Sequence, residues 1–135
     1  MFLNSIAFCY SLNYTGCFID IYLGRERIKP YFNALVSNES TFYLSVITEA
    51  ELWRGLRVGE LDKHNALVAK FTVLPLRSDG ARLAGAWMQQ YREAGLGWMD
   101  ALITATAKTA EVPVLTRDKK LATVLANEAR FEIYN

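Results

Sequence analysis

The stretch formed by residues 98–118 constrains the fold of this chain more than any other. Its first ten residues are rich in Ala and Thr with large apolar residues between them, which predicts a helix packed closely against a sheet. The apolar run at 112–115 then predicts a short buried strand. Asp100 lies in the first turn of the helix, and Asp118 follows the strand. Each acid can cap a helix or belong to a polar site, and the other segments of the chain bear on that choice.

Segments typical of strands and of helices alternate along the 135 residues. Apolar β-rich runs predict strands at 6–12, 42–47, 71–76, 112–115 and 131–133. Helical patterns predict helices at 17–23, 29–37, 48–57, 61–70, 78–93, 98–107 and 119–126. Pro75 cannot donate to a strand ladder, so the third strand belongs near an edge. We therefore expect a single α/β domain over residues 1–135, a three-layer α/β/α sandwich with a mostly parallel central sheet.

The composition argues against several classes of protein. A formal net charge of +1 provides no basic field over the whole molecule, so any nucleic-acid contact requires a local patch. The two cysteines, Cys9 and Cys17, form no Cys-x-x-Cys pair and indicate free thiols in a reducing compartment. His64 is the one histidine and is expected at the surface, which argues against a zinc site. The apolar residues 1–12 lack the basic start of a signal peptide and are too short to span a bilayer, so we expect a cytoplasmic protein without a membrane segment.

Polar side chains follow the first, second and fourth predicted strands: Tyr14 and Thr15, Thr48 and Glu51, Thr116 and Asp118. The carboxyl ends of parallel strands share one edge of a sheet, so these residues are expected at that edge. The helix that contains Asp100 starts from the same edge. We therefore expect Glu51, Asp100 and Asp118 to converge.

Three carboxylates that converge repel one another unless protons or cations compensate their charge. Oxygen ligands without His or Cys suit Mg²⁺ or Mn²⁺, so Glu51, Asp100 and Asp118 are the predicted metal ligands. Such a metal would activate a water for attack on a phosphodiester and neutralise the charge that builds up. The expected chemistry is hydrolysis of a nucleic acid.

Each acid also has a purely structural explanation. Glu51 has the three-residue offset from Thr48 that is typical of a capping box. The helix dipole favours Asp100 in the first turn of a helix, and Asp118 can cap the helix that begins at residue 119. Because the three acids are expected at one edge of the sheet, the pattern favours a shared site over three independent caps.

Three segments resemble the successive motifs of PIN-domain ribonucleases: SVITEAELWRG at 45–55, GWMDALITATA at 97–107 and LTRD at 115–118. Their order and spacing carry the resemblance, which extends over about residues 12–133 and points to the toxin subunits of VapBC toxin–antitoxin systems. The resemblance implies a Mg²⁺-dependent endoribonuclease that cuts RNA, is commonly a homodimer, and is silenced by a cognate antitoxin that binds DNA. It places Glu51, Asp100 and Asp118 at the acidic-site positions, with Thr116 as a hydrogen-bonding support.

The resemblance has one departure. The family opens with a strand, then Asp-Thr or Asp-Ser, then an apolar helix with a second Asp six residues after the first. Thr15 and Asp20 fit that frame, but Tyr14 stands in place of the first metal-binding aspartate. A neutral phenol, whose pKa is ordinarily about 10, is a poor metal ligand. We therefore expect weakened metal binding and little or no nuclease activity, and we expect Tyr14→Asp to restore Mg²⁺-dependent RNA cleavage.

The basic residues nearest the expected site are Arg54, Arg117, Lys119 and Lys120. These side chains can hold RNA phosphates or belong to an ordinary solvated surface. Trp98, two residues before Asp100, can stack a splayed base, or it can pack against the core or a dimer partner.

Two other classes of protein compete with the ribonuclease toxin. A non-catalytic PIN-fold binding module would hold an antitoxin without cleaving RNA, in an apolar groove that exposed Tyr22, Tyr31 and Phe32 would supply. A receiver-like signalling domain would need an aspartate directly after the third strand, where the chain has Arg77 and Ser78. The leading interpretation is the ribonuclease toxin, and Tyr14 keeps the binding module as the alternative.

Overall fold

The computed structural model describes residues 5–8, 24–37 and 41–134. Within these ranges the chain forms one five-stranded sheet in which all neighbouring strands are parallel, in the order β3-β2-β1-β4-β5. The strands are β1 (Ser5–Phe8), β2 (Thr41–Ser45), β3 (Thr72–Leu74), β4 (Val114–Thr116) and β5 (Phe131–Ile133). β3 lies at an edge of the sheet, as predicted, but it ends at Leu74, before Pro75, and not at residue 76. The parallel sheet confirms the expected α/β class.

Six α-helices belong to the described residues: α1 (Lys29–Val36), α2 (Val46–Arg54), α3 (Leu61–Val68), α4 (Ser78–Gln90), α5 (Trp98–Thr109) and α6 (Lys119–Val124). Short 3₁₀ turns at Glu26–Ile28 and Arg92–Ala94 precede α1 and follow α4. In the part of the chain that the structure describes, no helix combines the length and apolarity needed to cross a membrane. The helix predicted at 17–23 and the last four residues of the first predicted strand lie outside the described residues.

The side chains of the central strands alternate between two apolar cores. Phe42, Leu44 and Leu115 belong to the first core, together with residues of α1, α2 and α3. Tyr43 and Val114, each one position away, pack into the second core with α4, α5 and α6. Successive residues of a strand point to opposite faces of a sheet, so both faces are covered by helices. The result is the predicted three-layer α/β/α sandwich.

Small residues hold α5 tightly in the second core. Ala101, Thr104 and Ala105 of α5 are 0% exposed. On the neighbouring α4, a Cβ atom at Gly80 would lie 3.2 Å from Leu76 Cδ1 and 3.9 Å from the Ala105 carbonyl oxygen, so this position has little room for a larger residue. The prediction of a small-residue helix in close packing is confirmed.

Two sequence-based expectations about surface residues are wrong. His64 is 2% exposed because it shares the inner face of α3 with buried Leu67, one turn away. Its ring packs edge-on against Trp53, with the centroids 5.2 Å apart. Tyr31 and Phe32, which were expected to be exposed, are partly buried because they pack against the first core. The third aromatic residue of that expected groove lies outside the described residues.

Candidate active site

The carboxyl end of β2 passes directly into α2, and Ser45 makes the junction. The Ser45 hydroxyl accepts a hydrogen bond from the Thr48 amide at 3.0 Å and donates one to the Thr48 hydroxyl at 3.1 Å. Ser45 is therefore the N-cap of α2, and the helix begins at Val46 rather than at residue 48. The capping box considered for Thr48 and Glu51 is wrong, because Ser45 already caps the helix and no side-chain hydrogen bond of Glu51 takes part.

Glu51 lies in α2 with its side chain turned inward, and it is 8% exposed. Neither of its carboxylate oxygens has a hydrogen-bond partner among the described residues. Burial raises the pKa of Glu51 to about 7, against the opposing charge of Arg54 and with a further contribution from the Asp100 carboxylate. A proton or a cation would relieve this unpaired buried charge.

Asp100 lies in the first turn of α5, which begins after Gly97 without a side-chain cap. Its Oδ1 atom is buried and lacks a hydrogen-bond partner within the described ranges. Burial, and to a smaller extent the neighbouring Asp118 carboxylate, raise the pKa of Asp100 to about 6. The structural explanation for Asp100, a favourable charge at a helix start, leaves this buried oxygen unexplained.

Asp118 follows β4 and is half-buried. Its Oδ1 atom accepts a hydrogen bond from the Leu121 amide at 2.9 Å and so caps α6. The Asp118 amide donates to the hydroxyl of the buried Thr116 at 3.0 Å. Thr116 thus fixes the backbone of Asp118, and Asp118 does cap a helix, as its structural explanation held. One carboxylate oxygen of Asp118 is committed to that cap, while its charge still acts on Asp100.

The charges of the three acids act on one another in pairs. Asp100 acts electrostatically on Glu51, and Asp118 acts on Asp100. Within residues 5–8, 24–37 and 41–134, however, no group of three or more His, Cys, Asp or Glu residues is arranged to hold one metal ion. The unpartnered oxygens of Glu51 and Asp100 still fit a hard cation, because Mg²⁺ commonly takes one or two carboxylates and keeps several waters.

A cleft of about 150 Å³ opens beside Asp100 and Asp118. The turn between α4 and α5 forms one wall, and Lys120 of α6 contributes to the other. Gly95 in that turn has a φ of +75°, and a Cβ atom placed on it would lie 3.5 Å from Lys120 Nζ. The lysine head group therefore lies close to the glycine turn, and Lys120 lines the same cleft as the two acids.

The three basic residues predicted to contact RNA differ in their exposure and in their contacts. Arg54 is exposed and acts electrostatically on Glu51, Lys119 is exposed, and Arg117 is half-buried with contacts of its own. Of the two lysines after Asp118, Lys120 and not Lys119 lines the cleft. No local pattern separates Lys119 from Lys120, because both lie in the first turn of α6; the packing of α6 against a distant turn makes the difference.

Tyr14, the expected replacement of a metal-binding aspartate, lies outside the described residues, and so do Thr15 and Asp20. The assignment of Tyr14 therefore stays a prediction. The described part of the site consists of Glu51, Asp100 and the Asp118 loop.

A family model described as PIN domain matches residues 15–125 of this chain. The curated protein Ribonuclease VapC10 of Mycobacterium tuberculosis is 39% identical to the chain over 77 residues, which are 54% of this chain and 56% of that protein. The chain thus aligns with little more than half the length of this relative.

Solved structures with the same fold cover almost the whole chain. A chain of VapBC2 from Rickettsia felis, bound to a DNA fragment from its promoter, superposes with a TM-score of 0.78 at 17% identity and covers 97% of this chain and 99% of its own length. A chain of the DNA-bound VapBC of Salmonella typhimurium gives a TM-score of 0.74 at 19% identity, with 98% of both chains covered. At these identities the likeness establishes the fold.

Proposed function

The chain belongs to the PIN domain family, and on that premise we propose that it is a Mg²⁺-dependent or Mn²⁺-dependent endoribonuclease, the toxin of a toxin–antitoxin pair. RNA is the substrate, and a phosphodiester bond is hydrolysed. The similarity to Ribonuclease VapC10 supports the reaction, although that similarity spans about half of the relative. The proposal treats residues 1–135 as one domain of this kind.

One observation carries the proposal. Glu51 and Asp100 present buried carboxylate oxygens that have no hydrogen-bond partner among the described residues, at the carboxyl edge of a parallel sheet. A buried carboxylate without a partner is costly to a fold, so such a pair is expected where a ligand completes the arrangement. The raised pKa values, about 7 for Glu51 and about 6 for Asp100, have the same cause, because burial disfavours the charged form of each carboxyl group.

Glu51 and Asp100 would hold the cation, and Asp118 would face it with the oxygen that is not needed for the cap. When bound, the cation supplies charge neutralisation at the phosphate and activates a water. Thr116 holds the Asp118 backbone in place by its 3.0 Å hydrogen bond. The charge of Arg54 offsets only part of the effect of burial on Glu51. Arg54, Arg117 and Lys119 are proposed to contact the RNA backbone.

We further propose a cognate antitoxin as the protein partner, a homodimer as the assembly and the cytoplasm as the location. Contact with DNA would be indirect, through the antitoxin. Support comes from the structural neighbours, two of which are VapBC complexes with bound DNA. A non-catalytic module that holds the antitoxin is the alternative, and it is favoured by Tyr14 in place of an expected acid.

The test compares the purified chain with its Tyr14→Asp variant. The proposal predicts weak binding of Mn²⁺ by titration calorimetry and slow RNA cleavage for the chain itself, with both restored by Tyr14→Asp. In the Tyr14→Asp background, Glu51→Gln and Asp100→Asn should each abolish both signals. Glu49→Gln, on the same helix as Glu51, is the matched control that should keep them.

The possible outcomes separate the two functions. Metal binding without cleavage by Tyr14→Asp, together with a stable complex with a small partner protein, would favour the binding module. If Glu51→Gln and Asp100→Asn keep both Mn²⁺ binding and RNA cleavage, Glu51 and Asp100 do not belong to the metal site.

A further inference from the structure

Thr104 is a buried polar residue in the middle of α5. It is 0% exposed, and its Oγ1 atom has no hydrogen-bond partner among the described residues. Two other threonines of this helix behave differently: the Thr106 hydroxyl donates to the Leu102 carbonyl oxygen at 2.8 Å, and the Thr109 hydroxyl donates to the Thr106 carbonyl oxygen at 3.1 Å. Such a bond to the helix backbone is common for threonine. A buried hydroxyl without a partner is costly, so Thr104 is expected to have a further one.

Thr104 shares this property with two acids of the candidate active site. In the part of the chain that the structure describes, the buried side-chain atoms without a hydrogen-bond partner are Oε1 and Oε2 of Glu51, Oδ1 of Asp100, Oγ1 of Thr104 and Nε2 of His64. All the oxygens among them belong to Glu51, Asp100 and Thr104. Because unpartnered buried polar atoms are rare in folded proteins, their concentration in these three residues indicates one polar site.

Thr104 lies on the same side of α5 as Asp100. Residues four apart in a helix are neighbours one turn apart, separated by about 40° around the axis. The helix α4 packs on another side, since a Cβ atom at Gly80 would lie 3.8 Å from Thr109 Oγ1, and Thr109 is rotated by about 140° from Thr104. The side of α5 that carries Thr104 is therefore the side of Asp100 and not the side that packs against Gly80.

The spacing of the two side chains suits a link through one water molecule. Cβ atoms four residues apart in a helix are separated by about 5–6 Å. Asp100 and Thr104 are both short, and they make no direct hydrogen bond with each other. One water spans such a gap, and a buried water needs at least two polar partners, which Asp100 Oδ1 and Thr104 Oγ1 provide.

We infer that Thr104 is a positioning residue of the metal site: its hydroxyl donates to one buried water, and this water donates to Asp100 Oδ1 and fixes the orientation of the carboxylate. This inference rests on the proposed function. A carboxylate oxygen accepts at two lone pairs, so the bond from the water leaves Asp100 Oδ1 able to bind the cation. Groups that orient a metal ligand in this way typically contribute about 10-fold to 100-fold to metal affinity.

The alternative is that Thr104 only fills space in the second core. Valine has nearly the shape of threonine, with a methyl group in place of the hydroxyl, so Thr104→Val keeps the packing and removes the polar group. Thr106 provides the matched control, because it lies on the same helix and is 2% exposed. Its hydroxyl is already bonded to the Leu102 carbonyl oxygen.

The first test measures Mn²⁺ affinity by titration calorimetry in the Tyr14→Asp background. Thr104→Val should weaken Mn²⁺ binding about 10-fold, because Asp100 loses the group that orients it. Thr104→Ser keeps a hydroxyl and should recover most of the affinity. Thr106→Val should leave the affinity unchanged. Thermal melts establish that every variant is folded, and a residue that only fills space would change the melting temperature without this loss of affinity.

The second test needs no metal and uses the chain with Tyr14 in place. Urea denaturation of Thr104→Val, Asp100→Asn and the double variant forms a double-mutant cycle. If the two side chains share a water, the unfolding equilibrium constant of the double variant should differ by about 3-fold or more from the value that independent effects give. The same cycle with Thr106→Val in place of Thr104→Val should show independent effects.

Two results would overturn the role of Thr104 and leave the proposed function standing. One is equal Mn²⁺ affinity of Thr104→Val and Thr106→Val while Asp100→Asn loses Mn²⁺ binding. The other is independent effects of Thr104→Val and Asp100→Asn on unfolding. Retention of Mn²⁺ binding by both Glu51→Gln and Asp100→Asn would instead reject the metal site itself, and a coupled cycle would then make Thr104 a structural partner of Asp100 without a role in metal binding.

Discussion

Glu51 and Glu128 are two carboxylates withdrawn from solvent that differ in what surrounds them. Glu128, in the loop between α6 and β5, accepts hydrogen bonds from Trp87 Nε1 at 2.9 Å and from the Tyr91 hydroxyl at 3.1 Å. Glu51 is 8% exposed, and neither of its oxygens has a partner among the described residues. The described residues supply partners to the first carboxylate and none to the second, so their hydrogen-bond partners distinguish these two acids.

Asp100 and Asp118 repeat this contrast within the site. Asp118 gives one oxygen to the Leu121 amide and caps α6. Asp100 keeps a buried oxygen without a partner in the described part of the chain. We therefore expect changes at Glu51 and Asp100 to act mainly on metal binding, and changes at Glu128 to act mainly on stability.

The largest expected effect is on RNA cleavage in the Tyr14→Asp background. Asp100→Asn should lower the initial rate by more than about 100-fold, because the loss of a residue that only supports a metal ligand already costs about 10-fold to 100-fold. Glu128→Gln should leave the rate unchanged, since Gln can still accept a hydrogen bond from Trp87. Equal losses in the two variants would break the distinction between the acids.

The next effect is on folding stability. Glu128→Ala leaves the buried Trp87 ring nitrogen without an acceptor and should lower the free energy of unfolding by about 1–3 kcal/mol. Urea denaturation followed by circular dichroism measures the change. Tyr91→Phe removes only the second hydrogen bond of Glu128 and should cost less, about 1 kcal/mol. A Glu128→Ala variant as stable as the parent chain would show that this carboxylate is no structural partner.

Unlike Glu128, Glu51 should decrease the stability of the folded chain, and the size of this decrease should depend on pH. In the unfolded chain its carboxyl group loses its proton near the ordinary glutamate pKa of 4.5, whereas in the folded chain the pKa is about 7. Between these values the folded state binds more protons than the unfolded state, so the contribution of Glu51 to stability falls as the pH rises and stays low above about 7. Asp100 adds the same trend between 3.8 and about 6.

Glu51→Gln therefore should stabilise the metal-free chain by about 1–2 kcal/mol near neutral pH and by almost nothing below about pH 4. Thermal melts of both proteins across this range give the difference, and Glu49→Gln on the same helix is the control. In the Tyr14→Asp background, added Mg²⁺ should reduce the difference in stability between the protein with Glu51 and its Glu51→Gln variant. The reason is that the cation compensates the carboxylate charge only where Glu51 is present. A difference that does not vary with pH would contradict the raised pKa.

The smallest expected effect concerns Asp118. Asp118→Ala removes the cap of α6 and should cost about 1 kcal/mol of stability, whereas Asp118→Asn keeps a capping oxygen and should cost only a few tenths. Both variants lose the charge next to Asp100, so both should lower the affinity for Mn²⁺ in the Tyr14→Asp background. Chemical denaturation measures the role of Asp118 as a helix cap, and calorimetry on the same preparations measures its role in metal binding.

Much of the fold was predictable because its signals are local. The alternation of apolar strands with helices indicated a parallel sheet covered on both faces, and Pro75 indicated the edge position of β3. The small residues of α5 indicated its close packing, which the 0% exposure of Ala101 and Ala105 confirms. The three acidic positions came from the order and spacing of motifs.

Other features were missed because they depend on contacts between distant segments. Ser45, and not Thr48 with Glu51, caps α2, since β2 continues directly into the helix. His64 is buried, although its own segment is polar, because one face of α3 meets the core.

The amino-acid pattern alone thus specifies the α/β architecture and predicts which acids belong to the site, because periodicity and motif spacing are properties of neighbouring residues. Whether an acid is paired is settled by folding. The partners of Glu128 are 41 and 37 residues away, and Lys120 meets a glycine turn that belongs to another segment. Solvent exclusion and hydrogen bonding depend on atoms brought together in space, so no local pattern could distinguish Glu51, which has no partner among the described residues, from the hydrogen-bonded Glu128.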